Sequence, residues 1–234
     1  MTHTAGTHSD EIVAGLAAFA TSGISDALDR LGIAGQAHGI GAIAPSFRLA
    51  GRAFTGFYQP VDVGGGTVGD YIDDVPPGGV VVLDNAGRTD ATVWGDILTL
   101  VASRRGIAGT VIDGVCRDSA RSRELAYPVF SRGRYMRTGK DRVQMTGVQV
   151  PVTIGQVRVR PGDILIGDGD GVVVVPRERE TEVLDVVRGI EEAEERIREQ
   201  VLRGVRLDES RRQLGYHALQ TRASDPATAG TEGR

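Results

Sequence analysis

Apolar residues recur at Ile12, Val13, Leu16 and Phe19, the three- and four-residue steps of a helix face, and predict a first helix over residues 9–20. A second short helical pattern spans 22–31 and is closed by Gly32. The period then changes. β-Branched runs bounded by glycine, proline and aspartate fall at 47–58, 80–83, 110–112, 148–154, 157–159, 164–166 and 172–175, and these predict strands. Between them Trp94, Ile97, Leu98 and Val101 mark a helix that ends near Arg105, with Gly106 placed to cap it. A last long helix is expected from about 178 to 203, stopping at Gly204, and 223–234 reads as a disordered tail. No repeat and no linker divides the pattern, so the expected organisation is a flexible start (1–9), one α/β domain (10–205) and a C-terminal extension (206–234).

Composition narrows the class. The chain has 234 residues, 40% hydrophobic and 25% charged, enough for a sizeable core, and no apolar run approaches the roughly 18 residues of a membrane span. Residues 1–10 lack a basic stretch followed by an apolar one, so the cytoplasm is the expected location and no membrane partner is expected. A net charge of −4 carries none of the basic excess of a nucleic-acid binder. Cys116 is the only cysteine, and the four histidines are scattered, so any metal would be held by carboxylates and water. Lys140 is the only lysine.

Three motifs fail on inspection. The run Gly64-Gly65-Gly66-Thr67-Val68-Gly69 fits a dinucleotide fingerprint, with Asp84 where a ribose-binding acid would stand, but Pro76-Pro77 stops any crossover helix after about two turns. A Gly-rich turn is the expected alternative. Between Gly133 and Lys140 the glycine spacing of a phosphate loop is wrong, and Asp141 follows the lysine. Asp168-Gly169-Asp170-Gly171 opens like a calcium loop but runs into Val172, so it reads as a tight turn between strands.

Twenty residues separate Asp96, in the segment Gly95-Asp96-Ile97-Leu98, from the pair Arg117-Asp118. A helix of about eleven residues advances ~16 Å, and a returning strand of about four residues runs back ~13 Å, so the two segments should meet at one end of the sheet. That would gather two carboxylates, a guanidinium and the N–H groups of a helix start, a set suited to an anionic substrate. Asp118 could hold a divalent ion, and Asp96 could orient water or take a proton. The alternative is a surface cluster in which Asp96 favours the helix dipole and Arg117 pairs with Asp118 or Asp113. In the last helix, Glu194 interrupts the stripe Val183, Val187, Ile190, Ile197, Val201; it either faces a site or pairs with Arg198 one turn on while Ala193 carries the stripe.

Gly95-Asp96, twenty residues, then Arg117-Asp118 resembles the signature of the class II pyruvate aldolases typified by 4-hydroxy-4-methyl-2-oxoglutarate aldolase, which share a fold with the regulator of ribonuclease activity A. Ser25-Asp26-Ala27-Leu28, Pro77-Gly78, the run from Asp113 to Asp118, Pro128-Val129-Phe130 and the stretch from Pro161-Gly162-Asp163 to Val175-Pro176 extend the resemblance over residues 10–205. The resemblance implies a three-layer β/β/α domain of the swivelling type, with N-terminal helices and a long C-terminal helix. It also implies a homotrimer or homohexamer with the site between subunits, a divalent-metal-dependent cleavage of a 4-hydroxy-2-oxo acid to pyruvate, and oxaloacetate decarboxylation as a side activity. By the same resemblance Asp118 ligates Mg²⁺ or Mn²⁺, Arg117 binds the pyruvyl group, and Gly95 leaves room for its carboxylate at the Ile97 and Leu98 amides. Asp96 orients metal-bound water and assists proton transfer, and Glu194 is the acid lent by a neighbouring subunit, with Glu191 or Glu195 as alternatives. A non-catalytic, protein-binding regulator is the competing implication. The basic stretch Arg132, Arg134, Arg137, Lys140 and Arg142 departs from the family pattern; it either binds a second substrate carboxylate or is a solvated loop.

Overall fold

Val80 to Leu83 and Thr110 to Ile112 are apolar nearly without interruption because both faces of their strands are covered. In the computed structural model, which describes residues 5–62 and 68–216, these runs lie at the centre of an eight-stranded sheet. The chain opens with two helices, α1 (Ala5–Ala17) and α2 (Thr21–Arg30), followed by a short β1 (Gly41–Ala42) and a long β2 (Leu49–Pro60). A parallel core is built from β2, β3 (Val80–Thr92), β4 (Gly109–Cys116) and β5 (Val129–Arg134), with α3 (Asp96–Arg104) and α4 (Ser119–Glu124) as crossovers. β6 (Val143–Val148) pairs antiparallel with β2. A separate hairpin, β7 (Val152–Ile154) and β8 (Val157–Val159), precedes β9 (Ile164–Asp168) and β10 (Gly171–Val175), which extend the sheet on the far side of β2. α5 (Glu180–Leu202) and α6 (Leu207–Gln213) end the described chain.

Strand alternation divides the core. Val80, Val82, Val111, Phe130, Leu165, Val172 and Val174 face one way and pack against Val152, Ile154, Val157 and Val159 of the hairpin. On the opposite face Val81, Leu83, Ile112 and Val129 meet Trp94, Ala102 and Ile107 around α3, while Ile164, Ile166, Val173 and Val175 meet α1, α2 and α5. Hairpin, sheet and helices make the β/β/α layering, and the helical layer falls into two groups over different parts of the sheet.

Two buried aspartates fasten the hairpin. Asp84 and Asp113 stand opposite each other on β3 and β4. Asp84 accepts the Ala86 and Thr153 amides, both at 2.9 Å, and Asp113 accepts the Gly155 amide at 3.0 Å and pairs with Arg132. Asp84 is therefore a structural acid whose two oxygens are both used. Only one 3-10 turn (Ile72–Asp74) separates Gly69 from Pro76, so no crossover helix follows the glycine run. Residues 63–67 of that run and the expected tail at 223–234 lie outside the described residues.

Of the strand expected over 148–154, only 152–154 form β7, while Val148 ends β6, a strand of another sheet whose first five residues lie outside the expected range. Gln149 takes a left-handed conformation (φ 55°) and Pro151 cannot donate to a ladder, so β6 stops at Val148 and β7 starts afresh at Val152. β5 was not among the expected strands because Ser131-Arg132-Gly133-Arg134 erases its apolar pattern. α4 and α6, six and seven residues long, are too short for a period to show, and α6 lies inside the expected extension. The turn at Gly169-Asp170 joins β9 to β10 as expected. Gly106 takes φ 69° just after α3, a cap that costs an L side chain more.

Candidate active site

Thr92 begins the site. Its buried hydroxyl lies 2.8 Å from the Val115 carbonyl and 3.0 Å from that of Trp94, and it accepts the Trp94 amide at 3.2 Å. The Trp94 carbonyl in turn accepts the Arg117 amide at 3.0 Å. These bonds hold the chain entering α3 against the end of β4. The Trp94 ring stacks on Tyr127 at 6.0 Å between centroids, and its indole N–H donates to Thr99 Oγ1 at 2.9 Å. Thr99 Oγ1 donates to the Gly95 carbonyl at 2.8 Å, so the first turn of α3 is braced from inside.

The two segments do meet. Asp118 adopts a left-handed conformation (φ 54°), which aspartate tolerates better than most residues, and this turns its carboxylate back toward α3. Asp118 Oδ2 accepts the Asp96 amide at 3.2 Å and lies 3.3 Å from Arg117 Nε. Both side chains remain accessible, Arg117 at 38% and Asp118 at 40%. Gly95 sits in the angle between them: a Cβ there would lie 2.8 Å from Asp118 Oδ2 and 3.2 Å from Arg117 Nε. A glycine is needed for close approach, since its backbone (φ −150°, ψ −164°) is extended.

Since α3 starts at Asp96, the amides of Asp96, Ile97 and Leu98 have no carbonyl one turn back. The first is taken by Asp118, and Ile97 and Leu98, which carry the next two, line a cavity of about 180 Å³. Its lining joins Val68, Thr92, Val93, Trp94, Leu98, Arg117 and Thr138. Thr138 comes from the basic stretch, which is pinned here by the Thr92 amide donating to the Arg137 carbonyl at 3.0 Å. Nothing local in sequence marks Thr92, Val68 or Thr138 as neighbours of the site, because each arrives through strand pairing or a loop. Cys116, one residue before Arg117, is 1% exposed, and burial pushes its thiol up despite the opposing Ser131 contact, so it is no ready nucleophile.

Glu194 is elsewhere in this chain. α5 packs on α1 and α2, the other helical group, and Glu194 accepts Arg198 at 3.0 Å, the one-turn pairing open to it from sequence. Arg198 also bonds Glu191 and Glu195, at 2.8 and 2.6 Å. Among the described residues no group of three His, Cys, Asp or Glu side chains converges on one point. Asp118 nonetheless keeps one accessible carboxylate oxygen, and a single direct carboxylate with water suits Mg²⁺ or Mn²⁺. No single helix among the described residues is long and apolar enough to cross a membrane.

The family model described as RraA-like, Aldolase/RraA, matches residues 21–174. Protein DlpA of Legionella pneumophila is 41% identical over 196 residues, 82% of this chain, but the match spans only 32% of DlpA. A protein of Halalkalibacterium halodurans provisionally named a 4-hydroxy-4-methyl-2-oxoglutarate aldolase is 34% identical over 78% of this chain and 84% of its own length. Among solved structures, Streptomyces coelicolor RraAS2, described as an unusual member of the RNase ES inhibitor RraA protein family, superposes with a TM-score of 0.72 at 30% identity, covering 83% of this chain and 97% of that one.

Proposed function

Because the chain belongs to the RraA-like family, in which aldolases and RraA proteins share one description, we propose that it is a divalent-metal-dependent aldolase cleaving a 4-hydroxy-2-oxo acid to pyruvate and a second carbonyl compound. One observation supports this reading: Arg117 and the first residues of α3, Asp96 to Leu98, line one cavity, and Asp118 is bonded to the Asp96 amide and to Arg117 beside it. A site built only for contact with a protein has no need of helix amides and a guanidinium aimed into a small concavity.

The residues divide the reaction among them. The Ile97 and Leu98 amides take the substrate carboxylate at the positive end of α3. Arg117 presents its two-pronged donor to the 2-oxo group, where negative charge develops. Asp96 assists removal of the C4 hydroxyl proton, and as that O–H electron pair forms the new C4 carbonyl, the C3–C4 bond breaks and its electrons pass to the C2 oxygen as the pyruvate enolate. Protonation at C3 completes pyruvate. Asp118 holds Mg²⁺ or Mn²⁺, which when bound supplies Lewis-acid stabilisation of the enolate. Oxaloacetate, whose decarboxylation passes through the same enolate, is a side substrate.

Glu194 enters this reading only through assembly. In a homotrimer or homohexamer that sets one copy's α5 against the next copy's cavity, Glu194 would complete the surroundings of the ion. The exposed Ile97, 71% accessible at the cavity rim, supports such a contact. Cytoplasmic location remains part of the same proposal.

The likeness to the Streptomyces ribonuclease-inhibitor relative favours a second reading, a protein-binding regulator. Pyruvate release from hydroxy-oxo acids and oxaloacetate, measured with Mg²⁺ and with excess EDTA, separates the two. Turnover that EDTA abolishes and Mg²⁺ or Mn²⁺ restores is the expected result; full activity in chelator would sink the metal assignment, and no pyruvate under any condition would leave the regulator.

A further inference from the structure

The peptide unit joining Gly95 to Asp96 is held at both ends. Its N–H donates to Asp118 Oδ2 at 3.2 Å, while its carbonyl accepts the Thr99 hydroxyl at 2.8 Å and the Thr99 amide at 3.0 Å. A trans peptide is planar, so its N–H and C=O point in opposite directions and turn together. Whatever fixes this carbonyl therefore aims the N–H at Asp118. Thr99 does so from the buried side of α3, where it is 1% exposed.

Trp94 settles the direction of the Thr99 hydroxyl. An indole N–H can only donate, and this one donates to Thr99 Oγ1 at 2.9 Å, which leaves the Thr99 O–H to donate to the Gly95 carbonyl. Trp94 is placed in turn from the other segment of the site. Its ring stacks on Tyr127, whose phenol meets Thr110 Oγ1 at 2.9 Å and whose carbonyl accepts the Ser122 hydroxyl at 2.6 Å. Ser122 belongs to α4, the helix that starts directly after Asp118. The contacts close a ring, from Asp118 through α4, Tyr127, Trp94 and Thr99 to the peptide that bonds Asp118 again, and Ser122, Tyr127, Trp94 and Thr99 are all buried.

We propose, on the aldolase reading above, that Thr99 is a positioning residue: backed by the Trp94 indole, it aims the peptide between Gly95 and Asp96 so that Asp118 is held in one orientation, its second oxygen left for the divalent ion. Thr99 itself touches neither ion nor substrate. Valine has nearly the same shape but no donor, so in Thr99→Val the Gly95 carbonyl keeps only its helix bond and the peptide is free to tilt. Asp118, released from the amide, then has Arg117 as its near partner, at 3.3 Å in the intact site, and a closer ion pair withdraws both side chains from their tasks.

The test reads Mn²⁺ affinity by electron paramagnetic resonance and pyruvate release with Mg²⁺, on the full chain, beside thermal melting. In Thr99→Val the Kd for Mn²⁺ should rise and kcat should fall, each about tenfold or more, the usual effect of removing a group that orients a metal ligand. Thr99→Ser, which keeps the hydroxyl, should restore both. The double variant Trp94→Phe/Thr99→Val removes the indole donor as well, so no buried N–H is left unpaired and the fold loses least. Because Trp94 also lines the cavity, that variant is read by Mn²⁺ affinity alone, which should fall while melting stays near wild type. Wild-type Mn²⁺ affinity in both valine variants would overturn the positioning role and leave the aldolase standing. Mn²⁺ binding that depends on Thr99 in this way, with no pyruvate released by the wild type, would keep the positioning role and overturn the aldolase. A wild-type protein that binds no Mn²⁺ would overturn both.

Discussion

Asp118 Oδ2 accepts the backbone amide of Asp96 at 3.2 Å, so the second residue after β4 caps the start of α3 across 22 positions of sequence. One carboxylate thereby fixes the helix whose next two residues line the cavity, and the same carboxylate is the proposed metal ligand. Cap and chemistry are coupled in a single side chain.

That coupling makes Gly95 sensitive. In Gly95→Ala the new Cβ would lie 2.8 Å from Asp118 Oδ2, closer than real Cβ contacts allow, so Asp118 or Arg117 must move. Because the Gly95 backbone is extended, the fold should tolerate alanine with a loss of about 1 kcal/mol or less. Turnover should fall roughly 100-fold, the cost of about 1 Å of misplacement. Thermal melting beside pyruvate-release kinetics checks both; unchanged kinetics would move the site away from the Asp118–Arg117 angle.

Arg117→Lys keeps the charge and loses the fork. With Nε held toward Asp118, the remaining guanidinium face is what meets the substrate, and an ammonium cannot serve both. We expect kcat/KM to fall about 100-fold, in line with removing one donor to a developing oxyanion. Wild-type kinetics for this variant would argue for the regulator.

The lone lysine separates two aldolase mechanisms. Lys140 is exposed, and a Schiff base would need its amine at the substrate carbonyl beside Arg117. Lys140→Ala should retain metal-dependent pyruvate release, and borohydride with pyruvate should trap no adduct on the wild-type protein. A trapped Lys140 adduct, with activity lost in the variant, would replace the metal mechanism by a covalent one.

Asp168 ties the start of α2 to the end of β9. It accepts the Thr21 amide at 2.9 Å, the Thr21 hydroxyl at 2.7 Å and the Asp170 amide at 3.0 Å. Burial works against its ionisation, but these bonds and Arg48 outweigh it and hold its carboxyl below the usual carboxylate range. A folded pKa below the unfolded one means that this stabilisation is complete above about pH 4 and is lost as pH falls through the depressed value. Asp168→Asn should cost about 1–2 kcal/mol at pH 7, and the difference from wild type should shrink below pH 4. Urea unfolding at pH 7 and pH 3 measures it; an equal gap at both would refute the linkage.

Sequence alone determined the elements whose pattern is local and long enough to show a period. The buried strands at 80–83 and 110–112, the Gly106 cap and the long helix α5 are of this kind. The meeting of Asp96 with Arg117 is legible from the helix-then-strand order but not from the expected lengths: α3 has nine residues and β4 eight, so the two advances do not cancel, and the bonds from Thr92 to Val115 and from Arg117 to Trp94 bring the segments together. Tertiary structure decided what depends on pairing between distant segments. It confined the strand expected over 148–154 to 152–154, made strands of Val129–Arg134 and Val143–Val148, and made Asp84, which stands at a ribose-binding position in sequence, and Asp113, a possible partner of Arg117, anchors for a hairpin. It also carried Thr138 to the cavity while leaving the neighbouring cations outside its lining. A charge in sequence has no direction, and only the packed backbone says whether a guanidinium meets a ligand, an aspartate or an aromatic ring.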